Sequence, residues 1–183
     1  MTKVQIKQFQ GFTLIELLII LAIAGILLVS VVPSFSQMLA GNQQLTQLHT
    51  LFQHHQLARS EAIKSNRRVL LCKSNDGQQC TSETKWSDGW IIFSDTDNNK
   101  KISNNEHVIY VQQALSANLS LKYEGFGSHH YVRYYSDGRS STNGTFTLCN
   151  QFGDKFAKSI IISRTGRARI ASKASGGNVL TCT

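Results

Sequence analysis

The most constraining feature of this sequence is an almost wholly apolar run from Gly11 to Pro33 that contains one carboxylate, Glu16. A transmembrane helix needs roughly 20 consecutive apolar residues, so this run is long enough to cross a bilayer. A carboxylate inside such a run costs roughly 2.5–3.5 kcal/mol on insertion scales, which indicates a function for Glu16. A plain membrane anchor would account for the apolar run, but for neither Glu16 nor the short basic leader before Gly11.

The order of segments at the N-terminus differs from that of an ordinary signal peptide, in which the cleavage site follows the apolar stretch. Here the candidate cleavage bond, Gly11–Phe12, precedes it. With Thr13, Leu14 and Glu16, this order resembles the type IV prepilin signature. The resemblance implies that a prepilin peptidase cuts after Gly11, that Phe12 is then methylated, and that Glu16 serves assembly with other pilin subunits.

Periodicity predicts that the helix continues well beyond Pro33, which bends it without ending it. Side chains recur at three- and four-residue steps at Leu45, Leu48, Phe52 and His55, with Leu51 and Ala58 alongside. This spacing is typical of one stripe of an amphipathic helix, and we expect the helix to end at Ser65-Asn66. At 1.5 Å per residue it would be roughly 80 Å long.

Beyond the helix the pattern changes to short strands separated by Asn, Asp, Gly and Ser clusters. The predicted strands are residues 69–73, 90–94, 108–112, 119–123, 131–135, 145–149, 159–163 and 167–171. In the fifth strand, Tyr131, Arg133 and Tyr135 alternate with Val132 and Tyr134. This alternation predicts a strand with one solvent-exposed face.

The fold class is therefore α+β, and the resemblance to pilins implies the type IV pilin fold: a long N-terminal helix packed on an antiparallel β head. We expect a cleaved leader at residues 1–11, a hydrophobic transmembrane and assembly helix at 12–38, an amphipathic half at 39–66 and a globular β-rich head at 67–183.

The cysteines form an even set, Cys72, Cys80, Cys149 and Cys182, in a head expected outside the cytoplasm. Disulfides are the default there. Of the three pairings, we favour Cys72 with Cys80 and Cys149 with Cys182. Zinc is the weaker alternative, because the short CxxC spacing of metal sites is missing.

The net charge of +8 favours an anionic partner without identifying it. Removing residues 1–11, which carry two lysines and no acid, leaves +6. From Asp154 to the C-terminus the sequence carries one acid, Asp154, and six basic residues: Lys155, Lys158, Arg164, Arg167, Arg169 and Lys173.

Two segments of the head make the resemblance to a pilin family more specific. The segment from Trp86 to Phe93, followed by Asp95, Asp97, Asn99 and Glu106, resembles the GspH/FimT family of minor pilins and pseudopilins. The segment Gly166-Arg167-Ala168-Arg169 is similar to the GRxR motif of FimT-type minor pilins, a subgroup associated with DNA binding and uptake in natural transformation. Pseudopilins of type II secretion share the fold.

The C-terminal residues also support DNA binding by themselves. Arg167 and Arg169 would point to one face of a strand, and Arg164 precedes a turn that could fold it back towards them. Gly166 would let the backbone approach a phosphate. The planar guanidinium groups of the arginines would bind the phosphate oxygens, and Lys173 would add a further positive charge. Without base-reading residues, binding to double-stranded DNA would be non-specific and salt-sensitive. The alternative is that these cations only solvate an edge strand and discourage aggregation.

Residues 95–106 follow the spacing of a calcium loop, with Asp95, Asp97, Asn99, Ser103 and Glu106 at ligand positions. Lys100 occupies the glycine position, so a polar turn is the favoured interpretation and we predict no metal site. A second basic group, Arg59, Lys64, Arg67 and Arg68, either extends the positive surface or only solvates the helix end. The pairs His54-His55 and His129-His130 diverge too far to chelate a metal as adjacent residues.

Catalytic motifs such as a nucleophile elbow, a phosphate loop or HExxH are missing, so we predict no catalytic residues, no enzyme and no cofactor. The sequence predicts a minor type IV pilin, held in the inner membrane by one span with a periplasmic head and then displayed outside the cell in a pilus. The alternative is a structural minor pilin or type II secretion pseudopilin that helps to initiate assembly and has no ligand.

Overall fold

The computed structural model describes residue 11, residues 13–103 and residues 105–182. Its first element is one α-helix, α1, Leu14–Ser65. Pro33 lies inside α1 without ending it, and the helix ends where the sequence predicted. Phe12 and residues 1–10 lie outside the described residues, so the predicted leader and methylation site have no structural account.

The chain forms two compact units, the first ending at Leu39 and the second beginning at Ala40. In the first, the apolar side chains of α1 are largely exposed, Leu14 at 78% for example. An 18-residue window of α1 has a mean hydropathy of 2.9, so by length and composition this helix can cross a membrane.

The second unit contains eight described strands in two antiparallel sheets. They are β1 (Val69–Lys73), β2 (Trp90–Ser94), β3 (Val108–Gln112), β4 (Leu119–Gly125), β5 (Tyr131–Tyr134), β6 (Gly144–Asn150), β7 (Lys158–Ile162) and β8 (Ala168–Ala171). One sheet has the order β3-β2-β1-β5 and the other β4-β6-β7-β8. Two 3-10 turns, Trp86–Asp88 and Asp154–Phe156, precede β2 and β7.

The first three strands have the predicted bounds, and the others differ by one or two residues at one end or by one residue at both ends. The difference that matters is at β8, which begins at Ala168 and not at Arg167. Arg167 belongs to the turn before it, because its carbonyl accepts the N–H of Ser163. Hydrogen bonding across a hairpin, which residue spacing alone does not reveal, sets this boundary.

The main core lies between residues 40–65 of α1 and the two sheets. Leu48, Leu51, Ala58 and Ala62 of α1 are buried there beside Trp90. The predicted apolar stripe of α1 is wrong at Leu45, which is 46% exposed. The neighbouring residue Gln44 is buried at this position instead. The Gln44 amide donates to the carbonyls of Leu148 and Phe156, and such bonds offset the cost of burying it.

Candidate functional site

The turn between β7 and β8 places the arginines that the sequence singled out. The Ser163 N–H donates to the Arg167 carbonyl at 3.0 Å, and the Gly166 N–H donates to the Ser163 carbonyl at 2.9 Å. Gly166 has φ +75°, which only glycine adopts at little cost. This pattern is a tight hairpin turn whose fourth residue must be left-handed.

We call Arg164, Arg167, Arg169 and Lys173 the C-terminal cation cluster. All four are exposed, and the ion pairs of the described chain involve none of them. Ala168 packs against the main core, which leaves its neighbours Arg167 and Arg169 on the solvent side. The structure thus brings three arginines and a lysine onto one hairpin and the segment that follows it.

A second turn, Tyr135 to Arg139, supports the first and has the same hydrogen-bond pattern. The Tyr135 N–H donates to the Arg139 carbonyl at 2.9 Å, and the Gly138 N–H donates to the Tyr135 carbonyl at 2.8 Å. Gly138 is left-handed at φ +77°. The sequence pattern predicts only a turn here and does not single out Arg139, although both turns end in Gly-Arg.

The two turns lie back to back. A β-carbon at Gly166 would overlap the carbonyl oxygen of Gly138, so the close approach requires glycine. The Arg59 Nε of α1 donates to that same oxygen at 2.9 Å, and the Ser140 N–H donates to the Arg164 carbonyl at 3.1 Å. Arg59 therefore holds the turns in place, a role that the basic pattern at the helix end did not reveal.

A surface groove runs beside these turns, formed by two adjoining cavities of about 650 and 310 Å³ that share Tyr135 and Arg139. We call it the Tyr135 groove. Its charged lining residues are Arg67, Arg68, Asp137, Arg139 and Arg164. Arg67 and Arg68 come from the second basic group of the sequence, which the fold thus places near the C-terminal cation cluster.

The acidic loop after β2 brings carboxylate oxygens of Asp95, Asp97 and Glu106 within 4.8 Å of one another. Protein groups already contact them: Glu106 Oε1 accepts the Thr96 N–H at 2.6 Å, and Glu106 Oε2 accepts the Ser103 N–H at 3.0 Å. These are the contacts of a polar turn. The prediction that the protein has no metal site stays a prediction.

The burial of Arg133 contradicts the prediction that its face of β5 is exposed to solvent. Arg133 is 8% exposed, and its Nη2 lies 3.4 Å from Oδ2 of the fully buried Asp95. The loop after β2 places this carboxylate beside β5, and a buried carboxylate needs a cation or hydrogen-bond donors.

The histidines of α1 serve the core. Trp90 Nε1 donates to His54 Nδ1 at 3.1 Å, and His55 Nδ1 lies 2.9 Å from the Tyr134 hydroxyl. Burial lowers the pKa of His54 to about 4. Burial, and then the charge of His54, lowers the pKa of His55 to about 3. Both rings are therefore neutral at pH 7.

Two disulfides close the head, Cys72–Cys80 and Cys149–Cys182, and these are the predicted pairs. The second fastens the C-terminal segment to β6. Ser159 Oγ fastens it again, because its single O–H lies within reach of the carbonyl oxygens of Ala171 at 3.1 Å and Lys173 at 2.9 Å. The described tail therefore has defined attachments around Lys173.

At the N-terminus, Gly11 is exposed, and Glu16 lies exposed in the first turn of α1. The Glu16 N–H donates to Thr13 Oγ1 at 3.4 Å. Among residues 11, 13–103 and 105–182, the Glu16 carboxylate has no hydrogen-bond or ion-pair partner, so its role in assembly stays a prediction.

Comparisons with known proteins agree with this architecture. A family model described as type II transport protein GspH matches residues 47–166, and one described as a prokaryotic N-terminal methylation motif matches residues 6–32. A search of the curated proteins finds no match.

Two solved structures share the fold. The type IV minor pilin FimU of Pseudomonas aeruginosa is similar with a TM-score of 0.58 and 21% identity, over 74% of this chain and 95% of that one. The minor pseudopilin EpsH from the type 2 secretion system of Vibrio cholerae is similar with a TM-score of 0.50 and 16% identity, over 70% and 96%. The predicted long helix packed against antiparallel sheets is thereby confirmed as a type IV pilin fold.

Proposed function

The chain belongs to the GspH family and is a non-enzymatic minor pilin or pseudopilin of a type IV pilus or a type II secretion system; from this premise we propose that its head binds double-stranded DNA. Binding is non-specific and serves DNA uptake in natural transformation. The C-terminal cation cluster makes the contacts. Gly166 was predicted to let a phosphate approach, but it is buried against the Gly138 carbonyl, so its part is to shape the turn that presents the arginines.

The observation that carries this proposal is the exposure of Arg164, Arg167, Arg169 and Lys173 without ion-pair partners in the described chain. An arginine without a carboxylate partner can use its planar guanidinium group to donate two parallel hydrogen bonds to phosphate oxygens. Arg164 and Arg167 stand on a turn whose backbone is held by Arg59 and Gly138, so little ordering of that backbone is needed on binding.

The methylation motif implies processing by a prepilin peptidase and assembly with other pilin subunits. In our proposal the peptidase cuts between Gly11 and Phe12, Phe12 is methylated, and the apolar part of α1 holds the protein in the inner membrane until assembly. The head is then periplasmic, and it becomes extracellular in the pilus.

The second candidate is a structural subunit that helps to initiate assembly and has no ligand. The family comparisons favour it, since the similar structures are a minor pilin and a minor pseudopilin. In this case the arginines would keep the exposed edge strand β8 from pairing with other sheets.

A titration of the full chain in non-ionic detergent with two duplexes of unrelated sequence, at several salt concentrations, decides between the candidates. If the cluster contacts phosphates, Arg167→Gln with Arg169→Gln weakens binding equally for both duplexes. The log–log salt dependence flattens by roughly 0.9 for each lost contact. Lysine at both positions recovers only part of the affinity, because it restores charge without the planar guanidinium group.

The control is the double variant Lys85→Gln with Lys101→Gln, which removes the same charge from exposed positions outside the cluster. Wild-type affinity in the Arg167, Arg169 double variant would show that these arginines do not contact DNA, and an absence of binding by the wild-type chain would support the structural subunit.

A further inference from the structure

We propose that the Tyr135 groove is a second phosphate-binding segment of the same DNA path, so that a bound duplex runs from the C-terminal cation cluster along the groove to the end of α1. This inference rests on the proposed function and adds residues that lie far from the C-terminal motif in sequence. Arg164 joins the two parts, because it belongs to the cluster and also lines the groove.

The charges of the groove favour an anion. Arg67, Arg68, Arg139 and Arg164 stand against one acid, Asp137. Asp137 Oδ2 lies 2.6 Å from Arg139 Nε, while the ion pairs of the described residues leave out Arg67, Arg68 and Arg164. Three cations thus face the groove without a carboxylate partner.

The backbone around the groove is fixed before any ligand binds. Asn66 ends α1 with φ +52°, and the Arg67 N–H returns to the Ala62 carbonyl at 3.2 Å, which is the Schellman arrangement at a helix C-terminus. The Arg68 carbonyl then accepts the Asp95 N–H at 2.9 Å. Arg67 and Arg68 are therefore presented from a short, hydrogen-bonded segment.

The residues that line both cavities are also held in place. Tyr135 and Arg139 belong to the turn that packs against the Gly166 turn and receives the Arg59 hydrogen bond. Because the two turns support each other, the backbone segments that carry Arg139 and Arg167 keep a fixed relation before any ligand binds.

Asp137 limits the affinity of this groove. Its Oδ1 accepts the Arg139 N–H at 2.9 Å, which shapes the turn, and its Oδ2 engages the Arg139 guanidinium. Asparagine can keep the first bond through its amide oxygen while removing the charge. Asp137→Asn should therefore tighten DNA binding by roughly two- to fivefold, the size of one screened surface interaction.

The experiment is the same duplex titration on the full chain in detergent, with tryptophan fluorescence to confirm folding. Arg67→Gln with Arg68→Gln should flatten the salt slope by about twice 0.9 for both duplexes. Arg139→Gln should flatten it by less than about 0.9, because Asp137 already engages the Arg139 guanidinium. The control for Asp137→Asn is Glu83→Gln, which makes the same charge change at an exposed residue outside the groove and should have a smaller effect.

The outcomes separate this inference from the proposed function. Wild-type salt slopes in the groove variants, together with weakened binding in the Arg167, Arg169 double variant, would overturn the proposal that the groove binds DNA. The proposed function would then still stand. Weakened binding in the groove variants with normal binding in that double variant supports the groove and removes the C-terminal contacts. No binding by the wild-type chain overturns both. Equal gains from Asp137→Asn and Glu83→Gln show a net-charge effect and count against the groove.

Discussion

The indole N–H of Trp90 donates to Nδ1 of His54 at 3.1 Å, inside the contact between α1 and β2. Indole nitrogen is only a donor, so Nδ1 of His54 must be unprotonated for this bond to exist. The next residue, His55, is buried against Tyr134, and its Nε2 has no hydrogen-bond partner. The folded head therefore requires that the imidazole rings of His54 and His55 are both neutral.

We therefore expect the head to lose stability in acid. Both folded-state pKa values, about 4 for His54 and about 3 for His55, lie below the ordinary 6.5. The unfolded chain takes up protons first, so the stabilisation is complete above pH 6.5 and is lost as the pH falls towards 4. For the pair the loss between pH 6.5 and pH 4 is on the order of 6 kcal/mol.

Denaturant unfolding followed by tryptophan fluorescence between pH 4 and 8 measures this loss. His55→Phe, which cannot titrate, should flatten the pH dependence. An equally steep fall in that variant would show that other groups control acid unfolding.

Gly166→Ala should destabilise the head and loosen the C-terminal cation cluster. The new β-carbon would require a left-handed alanine and would also displace the Gly138 carbonyl, so we expect a loss of about 3 kcal/mol. Gly177→Ala is the control, since Gly177 is also left-handed at φ +86° but has open space around it. Its cost should be only about 1–2 kcal/mol. Equal losses in the two variants would mean that the contact between the turns contributes nothing.

Removing the Cys149–Cys182 disulfide should cost more stability than removing Cys72–Cys80. The first closes a loop of sequence separation 33 and the second one of 8. Chain-entropy estimates are about 4 and about 2.5 kcal/mol for loops of these sizes. Paired Cys→Ala variants, compared by denaturant unfolding, test the order. A reversed order would indicate that strain or residual structure dominates over loop closure.

Glu16→Leu should leave membrane insertion intact and block incorporation into pili. The substitution makes the apolar run uniformly hydrophobic, which favours insertion, and removes the carboxylate that assembly is proposed to need. Fractionation of membranes and sheared pili, with antibody to the head, measures both steps. Leu18→Met, an apolar exchange nearby, is the control and should assemble normally. Normal recovery of Glu16→Leu in pili would contradict the role.

Features that depend on neighbours in sequence were predictable from the sequence. The apolar run and its continuation as α1, the positions of the strands and both disulfide pairs follow from local periodicity, turn residues and loop closure. The exposed arginines of the C-terminal cation cluster follow from the same kind of reasoning, because a short turn before an edge strand leaves them few other positions.

The tertiary structure alone decided which distant segments meet. It buried Gln44 in place of Leu45, since the carbonyls of Leu148 and Phe156 needed donors there. It buried Arg133, since Asp95 from another loop required a partner. It also set the Gly138 turn behind the Gly166 turn and so formed a groove with the end of α1. Such placements are set by hydrogen bonds and close packing between residues far apart in the chain, and no local pattern encodes them.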